Sequence, residues 1–159
     1  MISKTVSVTK AVAAAGNYSA EDVISESATV GTTWIFRGLP GSGYIVKAQV
    51  ICETTGQVQR CTLYLFDALP TSQLSDNLGN TAPIHADMAH YLGRIDFPAM
   101  EDLGGDSEAV ATPSTVGNLT LAYEVSGQDR ALYGILVTRD AFTNETATDD
   151  YTVVLTAEA

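Results

Sequence analysis

His85, Asp87 and His90 form the histidine-bearing part of a 159-residue chain that holds two histidines in all. Histidines ligate a metal when they share a helical face at i and i+4 or converge from separate strands, and a spacing of five does neither by itself. They read as ordinary loop histidines. Ser42, His85 and Asp87 can be written as nucleophile, base and acid, but Ser42 is not held in the strained Gly-x-Ser-x-Gly turn that such a nucleophile uses. Asp102, Asp106 and Glu108 could offer oxygens to calcium, yet they lack the order of an EF-hand loop and read as a solvated acidic stretch. Gly104-Gly105 is a turn signal without the Lys-Ser/Thr and helix of a phosphate loop. A glycosidase pair is a separation in space, and 19 carboxylates supply too many candidates to choose among. The residues therefore predict no catalytic, cofactor-binding or metal site and no cofactor.

Two further groups carry weaker chemistry. Trp34, Tyr64 and Phe66 could stack on sugars, but in a two-sheet protein aromatics on either face usually pack, and packing or a subunit contact is the preferred reading. Cys52 and Cys61 are too few for a zinc site. They read as packed thiols, a disulfide being the alternative if the two face each other.

The elements that must position these groups are all extended. Val46, Ala48, Val50 and Cys52 alternate with Lys47 and Gln49, and Cys61, Leu63 and Leu65 alternate with Thr62, Tyr64 and Phe66, each with the period of a half-buried strand. Between them lies Thr55-Gly56-Gln57-Val58, with glycine where a type II′ turn prefers it. The stretch from Gly43 to Asp67 therefore predicts a two-stranded hairpin with Cys52 opposite Cys61, Val50 opposite Leu63, Ala48 opposite Leu65, Glu53 opposite Arg60 and Gln49 opposite Tyr64.

Other strands are expected at Ile2 to Thr9, Val23 to Ile24, Thr32 to Arg37, Tyr91 to Phe97, Asn118 to Val125, Ala131 to Arg139 and Tyr151 to Thr156. Ala11 to Gly16 has the composition for a single helical turn but reads as the start of a loop, and Ser126 to Asp129 reads as a turn. Two long connections stand out. Ala68 to Ala89 holds Pro70, Asp76, Asn77, Gly79, Asn80 and Pro83 with a helical turn at Ala86 to Ala89, and Ala99 to Gly117 carries Glu101, Asp102, Asp106 and Glu108 without a basic residue. Connections of that length are often binding loops or contact arms. The pattern predicts one all-β domain over residues 1–159. It is an antiparallel two-sheet sandwich, jelly-roll-like, with about eight or nine strands, a closed barrel being the alternative. Residues 1–20 are a candidate arm.

Composition bounds the partners. The chain is 45% hydrophobic and 17% charged, enough to bury a core without metals or crosslinks. A net charge of −11 repels nucleic-acid phosphates, and no Lys/Arg cluster in the sequence counters it, so direct nucleic-acid binding is not expected. No segment reads as a membrane span or a signal peptide, which predicts synthesis in the cytoplasm and no membrane partner. Asn17, Asn118 and Asn144 begin Asn-x-Ser/Thr triplets that, without secretion, are chance matches.

Several phrases resemble a set of short all-β structural proteins of tailed bacteriophages and prophages. They are Tyr18-Ser19-Ala20-Glu21-Asp22-Val23-Ile24, Gly41-Ser42-Gly43-Tyr44-Ile45-Val46-Lys47-Ala48, Leu63-Tyr64-Leu65-Phe66-Asp67-Ala68-Leu69-Pro70-Thr71, Asp76-Asn77, Tyr91-Leu92-Gly93-Arg94-Ile95-Asp96-Phe97 and Leu132-Tyr133-Gly134-Ile135-Leu136-Val137, in order along nearly the whole chain. In that set the first phrase often reads Gly-Asp-x-Ile/Val-Gly, and here Glu21 and Ser25 replace the glycines. The resemblance implies a non-enzymatic virion component, a decoration or cement protein on the outside of the head. Its partners would be the major capsid protein and further copies of itself, with a trimer among the arrangements. A tail, neck or fibre-associated sandwich that recognises host glycans through Trp34 or Tyr64 is the alternative, and a small glycan-processing enzyme is a further one.

Overall fold

A computed structural model describes residues 1–13, 17–113, 118–125, 129–143 and 146–159. Two antiparallel sheets pack face to face. The first contains β1 (Ser3–Ala11), β4 (Ser42–Cys52), β7 (Glu101–Asp102), β8 (Ser107–Ala111), β9 (Leu121–Glu124) and β11 (Asp150–Glu158), in the order β1-β11-β4-β8-β7, with β9 also pairing with β4. The second contains β2 (Val23–Ile24), β3 (Trp34–Arg37), β5 (Cys61–Phe66), β6 (Tyr91–Asp96) and β10 (Ala131–Thr138), in the order β2-β10-β5-β6, with β3 also pairing with β10. The all-β class and the two-sheet sandwich follow the alternation of the sequence. The closed barrel does not form, and eleven strands are present among the described residues where eight or nine were expected.

The predicted hairpin is not formed. β4 lies between β11 on one edge and β8 with β9 on the other, with Val50 opposite both Val153 and Ala109. β5 lies between β10 and β6, with Leu63 opposite both Leu136 and Ile95. Each strand has both edges filled, so the two cannot pair with each other. From Ala48 onward the alternation was nonetheless correct about the inward face, but Val46, expected on that face, is half-buried, and the fully buried Ile45 takes its place across an irregularity in the β4–β11 register. Ala48, Val50 and Cys52 point inward from one sheet and Cys61, Leu63 and Leu65 inward from the other, all within one core and none more than 1% exposed. Apolar faces that a hairpin would set side by side are instead opposed across the sandwich, about 10 Å apart in such packings.

The chain crosses between the layers through residues 53–60, and polar contacts fix that crossing. Gly56 has φ of 74°, the positive value its turn requires. The Ser107 hydroxyl donates to the Thr54 carbonyl and accepts from the Gln57 amide, while Gln59 Nε2 donates to Tyr151 Oη at 2.8 Å. Glu53 does not meet Arg60; its amide bonds the Asp150 carbonyl, and Arg60 meets Asp140. Cys52 and Cys61 are buried and not joined by a disulfide. Burial, and secondarily the nearby Cys52, raises the Cys61 thiol far above its ordinary range, which makes it inert.

Among their described residues, which leave out 114–117, both long connections are more ordered than a loop reading implies. Within Ala99 to Gly117, β7 and β8 form a short hairpin whose inward residues, Ser107, Ala109 and Ala111, are buried but too small to give a strong apolar pattern. The connection after β5 folds over the outer face of the second sheet, where Leu74 and Ala82 join Val23, Tyr64, Phe66, Tyr91, Tyr133, Ile135 and Val137 in a second apolar cluster. Its helical turn is a 3-10 turn over His85–His90. Asp76, fully buried, accepts from the Tyr18 hydroxyl at 2.9 Å and from the Ser25 amide at 2.8 Å, tying this cover to β2 and to the Tyr18 and Phe142 stack.

The N-terminal segment expected as an arm pairs with β11 over the whole of Ser3–Ala11. In the chain by itself it is therefore an edge strand, with Val6 and Val8 against the core and Lys10 inward on Glu26 at 2.6 Å. Ala14 to Gly16 and residues 126–128 of the expected turn lie outside the described residues, as does Asn144.

A close backbone approach holds the cover in place. A Cβ on Gly31 would collide with the Leu74 carbonyl, whereas one on Gly79 would meet open space. Gly31→Ala is expected to cost about 1–3 kcal/mol, a fall of about 2–4 °C in Tm for each kcal/mol, while Gly79→Ala stays near wild type; thermal unfolding of both variants checks this.

Candidate functional site: an arginine cleft beside an acidic hairpin

Beyond its covered half, the outer face of the second sheet opens into a cleft of about 440 Å³ lined by Arg60, Cys61, Thr62, Arg94, Asp96, Phe97, Pro98 and Arg139. Strand pairing alone assembles it. Thr62 stands opposite Asp96 and Tyr64 opposite Arg94 across β5 and β6, and the Arg139 amide bonds the Arg60 carbonyl where β10 runs past the crossing. Three arginines that are far apart in sequence thereby line one cleft together with Asp96. The chain has only eight basic residues against 19 acidic ones, so three guanidinium groups in one cleft, each balanced by a carboxylate, are a local concentration of its scarce cations.

Each guanidinium is held in place from one side. Arg60 grips Asp140 through Nε at 2.9 Å and Nη2 at 2.7 Å, and its amide donates to the same carboxylate. Arg94 meets Asp96 through Nε, and Asp96 also accepts from Thr62 Oγ1 and Asn118 Nδ2. Arg139 Nη1 reaches Glu21 at 2.9 Å and the Tyr64 hydroxyl at 3.3 Å. A guanidinium has five N–H donors, so these contacts fix orientation and leave donors for a planar anion. The side chains remain 58%, 51% and 40% exposed for Arg60, Arg94 and Arg139. The arrangement suits carboxylate, sulfate or phosphate recognition.

The acidic hairpin adjoins this cleft. Pro98 lines both the cleft and a smaller pocket of about 220 Å³ formed with Ala99, Glu101, Leu103, Glu108, Ala109 and Val110. Residues 101–106 are all exposed, Leu103 at the turn being 60% so. Asp102 is lowered from its ordinary value, chiefly by the Gly104 amide and then by the Thr55 hydroxyl. The residues read from sequence as possible calcium ligands therefore have distinct local roles: Asp102 closes the turn, Glu108 accepts from Gln49 and Asp106 lends its carbonyl to the Leu103 amide.

The remaining sequence candidates are placed apart. Asp87 is buried and accepts from the amides and hydroxyls of Thr71 and Ser72; burial alone would raise its carboxyl, but these bonds outweigh it and hold it low. His90 Nδ1 lies 2.7 Å from Asp67. Ser42 begins β4 in the other sheet, paired with Glu124, so Ser42, His85 and Asp87 form no relay. Among the described residues no three His, Cys, Asp or Glu side chains are grouped to hold a metal ion, and no helix is long and apolar enough to cross a membrane.

Trp34 is 1% exposed, donates Nε1 to the Ile24 carbonyl and carries Lys10 over its ring, and Tyr64 is 6% exposed. Neither offers the open ring face that a sugar platform needs. Sequence reasoning missed the cleft because its arginines share no linear spacing. No family model matches this chain, and no curated protein matches it.

The Arg60 contacts give the cleft a pH signature. Three bonds from Arg60, those of the guanidinium first and that of the amide second, hold the Asp140 carboxyl down at about 2, against 3.8 ordinarily. A depressed carboxyl stabilises the fold above its unfolded value and loses that contribution as pH falls through its folded one. Wild type should therefore lose stability relative to Asp140→Asn between about pH 4 and pH 2. Denaturant unfolding at stepped pH measures it, and a difference that stays flat over that window contradicts it.

Proposed function

We propose that this protein is a non-enzymatic virion component of tailed bacteriophages, a decoration or cement protein on the outer surface of the head, in contact with the major capsid protein and with other copies of itself. Its sandwich belongs in that reading to the jelly-roll-like group. The observation that carries the proposal is the ordered run of phrases that resemble those of phage structural proteins, together with where those phrases fall. Tyr18 and Asp76 bond each other beneath the loop cover, and Gly134 packs closely against Leu63, Phe36 and Trp34. Glu21, which stands where the related phrase has glycine, has φ of 71°, a conformation that glycine adopts at little cost. On this reading the phrases fall at backbone and core positions of the sandwich.

Two surface features suit an assembly role. β1 ends the first sheet, and among the described residues Ser3, Thr5, Ser7 and Thr9 have no backbone partner on its outer edge. Such an edge can accept a further strand. The acidic hairpin adds a projecting, charged contact. On this reading the chain is made in the host cytoplasm and comes to rest on the virion, and its negative surface turns away from packaged DNA or toward basic capsid patches.

Density from assembled particles tests the proposal. Copies near the number of major capsid subunits, on the outside of the head, are expected; a few copies at the tail or neck would favour the tail-associated alternative. Glycan hydrolysis lost on changing one carboxylate would overturn the non-enzymatic reading.

A further inference from the structure

The acidic hairpin offers carboxylate acceptors and the arginine cleft offers guanidinium donors left over from its own ion pairs, and among the described residues no hydrogen bond or ion pair joins the two. No Lys or Arg occurs between Arg94 and Arg130, and Glu101 stands directly opposite Glu108 across β7 and β8. Like charges opposed on neighbouring strands destabilise their own hairpin. At its tip Leu103 is exposed between Asp102 and Asp106. The cleft presents donors in place of net positive charge: its three guanidinium groups are each paired with a carboxylate on one side, remain 40–58% exposed, and stand beside the exposed Pro98.

We propose that two copies of this chain pair about a twofold axis, the acidic hairpin of each entering the arginine cleft of the other. A twofold contact uses the same surface from both copies, so it needs the two complementary patches to adjoin on one molecule. Pro98, shared by the cleft and the hairpin pocket, meets that condition. Carboxylates of Glu101 and Asp106 would take the guanidinium N–H groups not spent on Asp140, Asp96 and Glu21, and Leu103 would lie against the exposed Pro98. Each copy carries a net charge of −11. At physiological ionic strength that general repulsion is screened beyond about 8 Å, whereas contacts at hydrogen-bond distance persist. The pairing is independent of the virion reading, since it is measured on the purified chain and head binding is measured on particles.

Sedimentation equilibrium across a concentration series tests it. Wild type is expected to approach twice the chain mass of 16.8 kDa. Arg94→Glu, and separately Glu101→Lys with Asp106→Lys, should each weaken association about tenfold or more, and an equimolar mixture of the two variants should recover it. Thermal unfolding establishes that each variant is folded; if Arg94→Glu is not, Arg94→Gln and the hairpin variant carry the same test. A wild type that stays monomeric at every concentration overturns the proposal. So does a dimer that neither set of reversals weakens, a result that would direct attention to the open edge of β1.

Discussion

The crossing from Cys52 to Cys61 is the constraint on which the rest of the molecule depends. It carries the chain from the middle of one sheet to the middle of the other, and both strands it joins are then enclosed by neighbours on both sides. Buried polar groups would ordinarily make such a passage costly. Here Ser107 and Tyr151, from β8 and β11, supply part of the missing hydrogen bonds, to Thr54, Gln57 and Gln59 of the crossing. Fixing that passage fixes which strands remain at the edges. β1 is left open at one end of the first sheet, the acidic hairpin lies at the other, and Arg60 is delivered to the rim of the second sheet beside Arg139.

How much of this was legible in sequence depends on which physical quantity the pattern encodes. Alternation encodes which face of a strand is apolar, and for Val50, Cys52, Cys61 and Leu63 that reading holds in the structure. It does not encode partners. Two strands that share a sheet and two strands that face each other across a core carry the same pattern, and the glycine at position 56 turns the chain in either case. Strong turn chemistry therefore supported the wrong neighbour. β8 was lost for a different reason, because a strand that buries Ser107, Ala109 and Ala111 has alternation without hydrophobic weight.

The candidate site was legible only in pieces. An acidic stretch without basic residues is visible in the sequence, and it was read as a loop or contact arm; its hairpin geometry was not visible. The cleft leaves no linear trace, since Arg60, Arg94 and Arg139 meet through the pairing of β5 with β6 and β10. The histidine cluster drew attention because histidine is rare here, yet the more consequential residue beside it is Asp87, which organises the loop. Polar residues of long connections can be structural when the connection lies over a sheet, as Asp76 and Asp87 do.

The separation of β4 and β5 into different layers is the claim from which the cleft, the open edge and the hairpin all follow. Proton contacts between Hα atoms of opposed residues in solution test it most directly, because non-hydrogen-bonded antiparallel pairs bring their Cα atoms to about 4.5 Å. The structure predicts such contacts for Cys52 with Tyr151, Val50 with Val153 and Ala48 with Leu155. Contacts joining Val50 to Leu63 and Ala48 to Leu65 would instead place the two strands side by side, and would contradict the account.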